Sequence, residues 1–94
     1  MPINILSGNT AKFVVEFIDN NGDLASPSSA AITITYFVGG VLTNTTFDLA
    51  QTGSFWTGSW STAGVDVPSN ANWVVVSSLT TVPAQTGVIR VIDP

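Results

Sequence analysis

The sequence predicts an all-β domain, and three observations carry that reading. Turn residues punctuate the 94-residue chain every 8 to 15 positions or so. The segments between them are rich in Val, Ile, Thr, Phe and Trp, which suit a pleated, half-buried surface. Glu, Lys, Arg and Leu are too few to build an apolar stripe at three- and four-residue spacing, so no helix is expected. A chain of this length is one domain, residues 1–94, and 45% hydrophobic with 10% aromatic residues can fill a core without metals or staples.

The strands follow in order. Ile3–Leu6 is the first. In the second, Ala11–Ile18, Phe13, Val15 and Phe17 alternate with Lys12, Val14 and Glu16, the pattern of a strand with an aromatic inner face and a charged outer one. Asp19-Asn20-Asn21-Gly22-Asp23 closes it with turn chemistry, and Pro27, which cannot donate to a ladder, lies in the crossover to the other sheet. The third strand, Ala31–Val38, sets Ile32, Ile34, Tyr36 and Val38 on one face. Gly39-Gly40 can supply the positive φ angles of a two-residue hairpin, so the fourth strand, Leu42–Leu49, should pair antiparallel with the third. Phe55–Ser61, Asn72–Ser78 and Gly87–Ile92 complete seven strands, joined through residues 51–53, 63–70 and 82–86. Trp73 and Val75 alternate with Val74 and Val76, so the sixth is apolar on both faces and reads as central, or as covered outside by a partner. Seven short strands at these spacings suit two packed antiparallel sheets with Greek-key links, an immunoglobulin-like or fibronectin-like sandwich.

Composition narrows function by exclusion. Without Cys or His there is no thiol nucleophile, disulfide or imidazole base, and the usual zinc ligand sets are missing. The many Ser hydroxyls therefore lack an activating His, and Lys12 has no Ser-x-x-Lys context. The carboxylates Glu16, Asp19, Asp23, Asp48, Asp66 and Asp93 fall mostly beside turns or chain ends, which suits turn chemistry better than paired acid–base work. No catalytic residues, cofactor or metal are expected. Asp19, Asn20, Asn21 and Asp23 gather oxygen ligands as a calcium loop would, but without the distal Glu of an EF-hand; a turn in which Asx side chains bond their own backbone accounts for them. Two Lys plus Arg against six Asp plus Glu, net −4, offer nothing to a phosphate backbone, so nucleic acid is excluded as a partner. No apolar run approaches a membrane span, and Met1-Pro2-Ile3-Asn4 lacks the basic start of a signal peptide. Asn44-Thr45-Thr46 matches a glycosylation sequon but reads as a strand or turn segment.

Charge is scarce, at 9% of residues with a mean hydropathy of +0.41. A neutral, hydroxyl-rich surface has few solvated charges to strip when a protein docks, which favours life in an assembly, a homo-oligomer included, over a neutral monomer. Trp56, Gly58 and Trp60 share one face of the fifth strand, with the indoles about 13 Å apart at about 3.3 Å per residue. Two readings follow: a surface platform on which sugar rings stack, as in a carbohydrate-binding or adhesion module, or two core rings with Gly58 making room for Trp73 or a second-strand aromatic. The core reading leaves Phe55 facing solvent with Thr57, Ser59 and Ser61, a candidate interaction residue. Arg90, which interrupts Val88–Ile92, is either one end of a surface ion pair with Asp48 or Glu16 or an anchor in a subunit contact.

Taken along the chain, Phe13-x-Val15-x-Phe17-x-Asp19-x-x-Gly22, Pro27 before Ile32-x-Ile34, Gly53-x-x-Trp56-x-Gly58-x-Trp60-Ser61-Thr62, Trp73-x-Val75 and Gly87-x-Ile89-x-Val91 form one ordered pattern. It resembles the small immunoglobulin-like proteins encoded among tailed-phage and prophage structural genes. One departure is Pro68-Ser69-Asn70-Ala71-Asn72, where that family usually has a proline-glycine turn. The resemblance implies a non-enzymatic virion component, such as a capsid decoration or head–tail accessory protein, whose partner is a capsid or tail protein. Its location would be the virion, with the cytoplasm as the alternative.

Overall fold

Alternation decides which side chains this chain can hide, and the computed structural model, which describes residues 3–79 and 82–93, follows it closely. Met1 and Pro2 of the N-terminal run lie outside the described residues. Among the described residues eight strands form rather than seven: β1 (Ile3–Leu6), β2 (Thr10–Val15), β3 (Ala30–Val38), β4 (Val41–Asp48), β5 (Ala50–Thr52), β6 (Phe55–Ser61), β7 (Ser69–Ser77) and β8 (Gln85–Ile92). They make two sheets, one of five strands in the order β1-β8-β7-β3-β4 and one of three in the order β2-β6-β5. Every pairing is antiparallel except β1 with β8. No helix among the described residues is long and apolar enough to cross a membrane.

The core lies between the sheets. Phe13 and Val15 of β2 and Trp56 and Trp60 of β6 meet Ile32 and Ile34 of β3, Val75 of β7 and Ile89 and Val91 of β8. Aromatic pairs cross the gap: Tyr36 against Trp60 with centroids 5.1 Å apart, and Phe13 edge-on to Trp73 at 5.9 Å. At one end of β6, buried Thr62 donates from Oγ1 to the Asn9 carbonyl at 2.6 Å, and its N–H reaches the same oxygen. This pins the turn between β1 and β2.

Where element bounds depart from the sequence reading, pairing partners explain it. The second strand ends at Val15, not Ile18: Phe17 stays buried, but Ile18 makes only an isolated bridge to Leu24. Asp19 accepts the N–H groups of Asn21 and Asp23 on one carboxylate oxygen, the Asx turn expected there. β7 begins at Ser69, because Ser69, Asn70 and Ala71 pair with Val91, Arg90 and Ile89, so the residues read as a connection extend the ladder instead. β5 was read as a connection; three residues carry too little pattern to announce a strand, and β6 supplies the partner that makes it one. β7 is central, hydrogen-bonded on both sides, while Val74 and Val76 on its outer face are exposed.

Gly58 does not make room for Trp73. A Cβ there would stand 2.6 Å from Leu49 Cδ2 and 2.9 Å from Phe47 Cε2, the side chains that close the core where β4 passes into β5. The glycine that accommodates Trp73 is Gly87, its partner across β7 and β8, against which the indole packs too closely to leave room for a side chain.

Candidate functional site

The two tryptophans proposed as a sugar platform are core residues. Trp56 is 5% exposed and Trp60 6%, with Phe17 edge-on to Trp56 at 6.1 Å and Tyr36 over Trp60. Neither ring has a free face, so the platform reading is corrected: positions 56 and 60 point inward because their neighbours in register, Val15 and Ala11, do. Phe55 consequently points outward and is 43% exposed, on the outer face of the three-stranded sheet.

Arg90 stands on the outer face of the five-stranded sheet, in register with Asn4 and Asn70. Asp48 lies on β4, three strands away, about 14 Å at about 4.8 Å per strand. Glu16 follows β2 in the other sheet. Neither can be its ion-pair partner by position in the sheets. Phe55 and Arg90 thus face away from each other on opposite sides of the molecule and do not form one site.

The surface that does gather unexplained apolar area is the β3–β4 hairpin. Gly39 and Gly40 both have positive φ, at 58° and 78°, and close the two-residue turn between Val38 and Val41. Around them Phe37, Val38, Val41 and Leu42 are all exposed, Val41 by 65% and Leu42 by 59%. Val38 and Val41 share the inner face of the sheet by register, yet nothing opposite covers them; alternation assigned Val38 to the inner face but could not say where the opposing sheet stops. The signal in the sequence was Tyr36-Phe37-Val38 and Val41-Leu42, apolar on both faces of a turn. No family model, curated protein or solved structure matches the chain. The candidate site therefore rests on geometry and chemistry alone.

The hairpin is held rather than free. Asp66 accepts the Gly39 N–H on Oδ1 and the Gly40 N–H on Oδ2, each at 2.7 Å, and its own N–H donates to the Phe37 carbonyl at 2.9 Å. A carboxylate taking both turn amides fixes the orientation of the four apolar side chains, which lowers the ordering entropy lost on docking. Hydrogen bonds to a charged group are worth about 1.5–3 kcal/mol, less where solvent competes as it does at this exposed turn. Asp66→Ala is expected to lose about 1–2 kcal/mol in urea unfolding and to speed amide exchange at Gly39 and Gly40.

β4 also forms one edge of its sheet. Because the turn makes Val38 and Val41 the closing pair, Thr43, Thr45 and Phe47 bond to β3; the Leu49 N–H to the Ala30 carbonyl, 2.9 Å, continues the same alternation. The backbone groups of Leu42, Asn44, Thr46 and Asp48 therefore point away from the sheet. Natural edges are blunted by Lys, Pro, bulges or brevity. This one is eight residues long, unbroken in register, with Asp48 at its end as its single charge.

Proposed function

We propose that the protein is a non-enzymatic structural or interaction component that joins its neighbours through the β4 edge and the hairpin tip beside it. The observation that carries this is the unprotected edge flanked by Val41 and Leu42. Antiparallel pairing of two β4 edges about an axis at Thr45 would set Leu42 against Asp48 and Asn44 against Thr46, with no like charges opposed. The two five-stranded sheets would then run on as one, with Val41 and Leu42 brought beside the second copy at the junction.

With β2 to β8 taken as strands B, C, C′, D, E, F and G of an immunoglobulin domain, B, E and D form one sheet and G, F, C and C′ the other, with β1 alongside the last strand. That order supports a Greek-key immunoglobulin-like sandwich. Together with the sequence resemblance, the low charge and the edge, it supports a place in a tailed-phage virion, as a capsid decoration or head–tail accessory protein bound to capsid or tail protein.

Light scattering after size exclusion tests the self-pairing. The expected mass is a defined multiple of 9.8 kDa that falls to one copy on Val41→Lys, with the unfolding midpoint of the dilute protein unchanged. A monomer at every concentration up to about 1 mM, where association is worth about 4 kcal/mol, would overturn it.

A further inference from the structure

The edge of the three-stranded sheet formed by β2 carries a different kind of site. β2 pairs with β6 on one side, and no strand of the described residues pairs with it on the other. Two hydrogen bonds establish which backbone groups face the open side. The Asn9 carbonyl is taken by the Thr62 N–H from the β6 side, and the Glu16 carbonyl by the Gln85 side-chain amide, 2.8 Å, from the β8 side. In an antiparallel strand both groups of a residue point the same way and alternate along the chain. Ala11, Phe13 and Val15 therefore bond to β6, and Thr10, Lys12 and Val14 present their N–H and C=O groups outward.

Beneath that edge the two sheets part into a cleft of about 320 Å³, bounded across the gap by Asn4 and Ile5 of β1. Its floor is apolar: Phe13, Trp73 and Ile89. The rim carries one charge, Lys12, one of two cations in the chain. An extended segment laid along β2 would find backbone partners at its edge and a floor for every second side chain, as in strand addition to other sheet edges.

Charge selects the occupant. Two copies pairing β2 to β2 about Lys12 would set two ammonium groups directly opposite, the arrangement that blocks edge association. Residues opposite Ala11 and Phe13 would face the cleft, and the residue opposite Lys12 would face out beside its ammonium. We propose that this cleft binds an extended segment of a partner protein carrying an apolar–acidic–apolar triplet, the acidic residue paired with Lys12. This site is independent of the β4 edge, and neither reading needs the other.

The test is NMR on the full chain labelled with nitrogen-15, titrated with three blocked seven-residue peptides that alternate valine and threonine around a central glutamate, glutamine or lysine. In the free protein, amides of Lys12 and Val14 are expected to exchange fast while Phe13 and Val15 are protected. The glutamate peptide is expected to shift the Thr10, Lys12 and Val14 resonances and slow their exchange. The lysine peptide should bind about three- to tenfold more weakly, and Lys12→Glu should reverse that order. Equal binding by all three peptides, no response at these amides to any of them, or a response at Leu42, Asn44 and Thr46 instead would each overturn the proposal.

Discussion

Trp56→Ala is expected to remove about 3–5 kcal/mol of stability, the range for truncating a large aromatic in a packed core. The ring is buried between the sheets, edge-on to Phe17, and Gln51 and Val15 flank it in register. For 94 residues the total stability is about 5–14 kcal/mol, so the variant keeps a small margin or none at 37 °C. Urea unfolding followed by circular dichroism checks it. The magnitude also separates the two roles considered for this residue: an exposed platform ring would change stability by no more than about 0.5 kcal/mol. A loss that small would return Trp56 to the surface and with it the sugar-binding reading.

How much of this could be read from the chain depends on how local each feature is. The inward sets Phe13-Val15-Phe17 and Ile32-Ile34-Tyr36 obey a period of two that needs no knowledge of the partner strand, and the structure places all of them on the inner faces, Tyr36 part-buried and the rest buried. Gly39-Gly40 specified its hairpin because positive φ at two successive residues has few other uses. The outward turn of Phe55 followed from the burial of Trp56 by the same alternation.

What escaped was set at a distance. β5 exists because β6 lies beside it, and the first three residues of β7 are strand because β8 continues past Asn72. The carboxylate of Asp66 crosses 26 and 27 positions to reach Gly40 and Gly39, which no spacing announces. The interaction surfaces are properties of sheet order. β4 and β2 become edges only when the strands have been counted across both sheets, and Lys12 gains meaning only once its strand is one of them. Arg90, conspicuous in the sequence, sits between neutral Asn4 and Asn70 in register, so its place beside uncharged neighbours also follows from sheet order.

Gly87→Ala is expected to destabilise the protein by about 1–3 kcal/mol, against the usual sign for a glycine inside a strand. Adding a side chain there removes backbone freedom from the unfolded chain, a gain of about 0.4–1 kcal/mol where the site has room. Here it has none: the new Cβ would stand 2.5 Å from Trp73 Cε2 and 2.7 Å from Nε1, atoms of a rigid ring that packs edge-to-face with Phe13. The overlap outweighs the entropy, and the ring, which lines the floor of the cleft beneath β2, must shift. At Gly58 the closest atoms are Leu49 Cδ2 and Phe47 Cε2, and a leucine methyl can rotate aside, so Gly58→Ala should lose less. Thermal unfolding ranks the two, each 1 kcal/mol moving the midpoint by about 4–8 °C. A cycle with Trp73→Leu identifies the cause: the smaller side chain should relieve the clash, so that the pair is less destabilised than the sum by about 0.5–3 kcal/mol. Simple additivity would place the origin of the loss somewhere other than the indole.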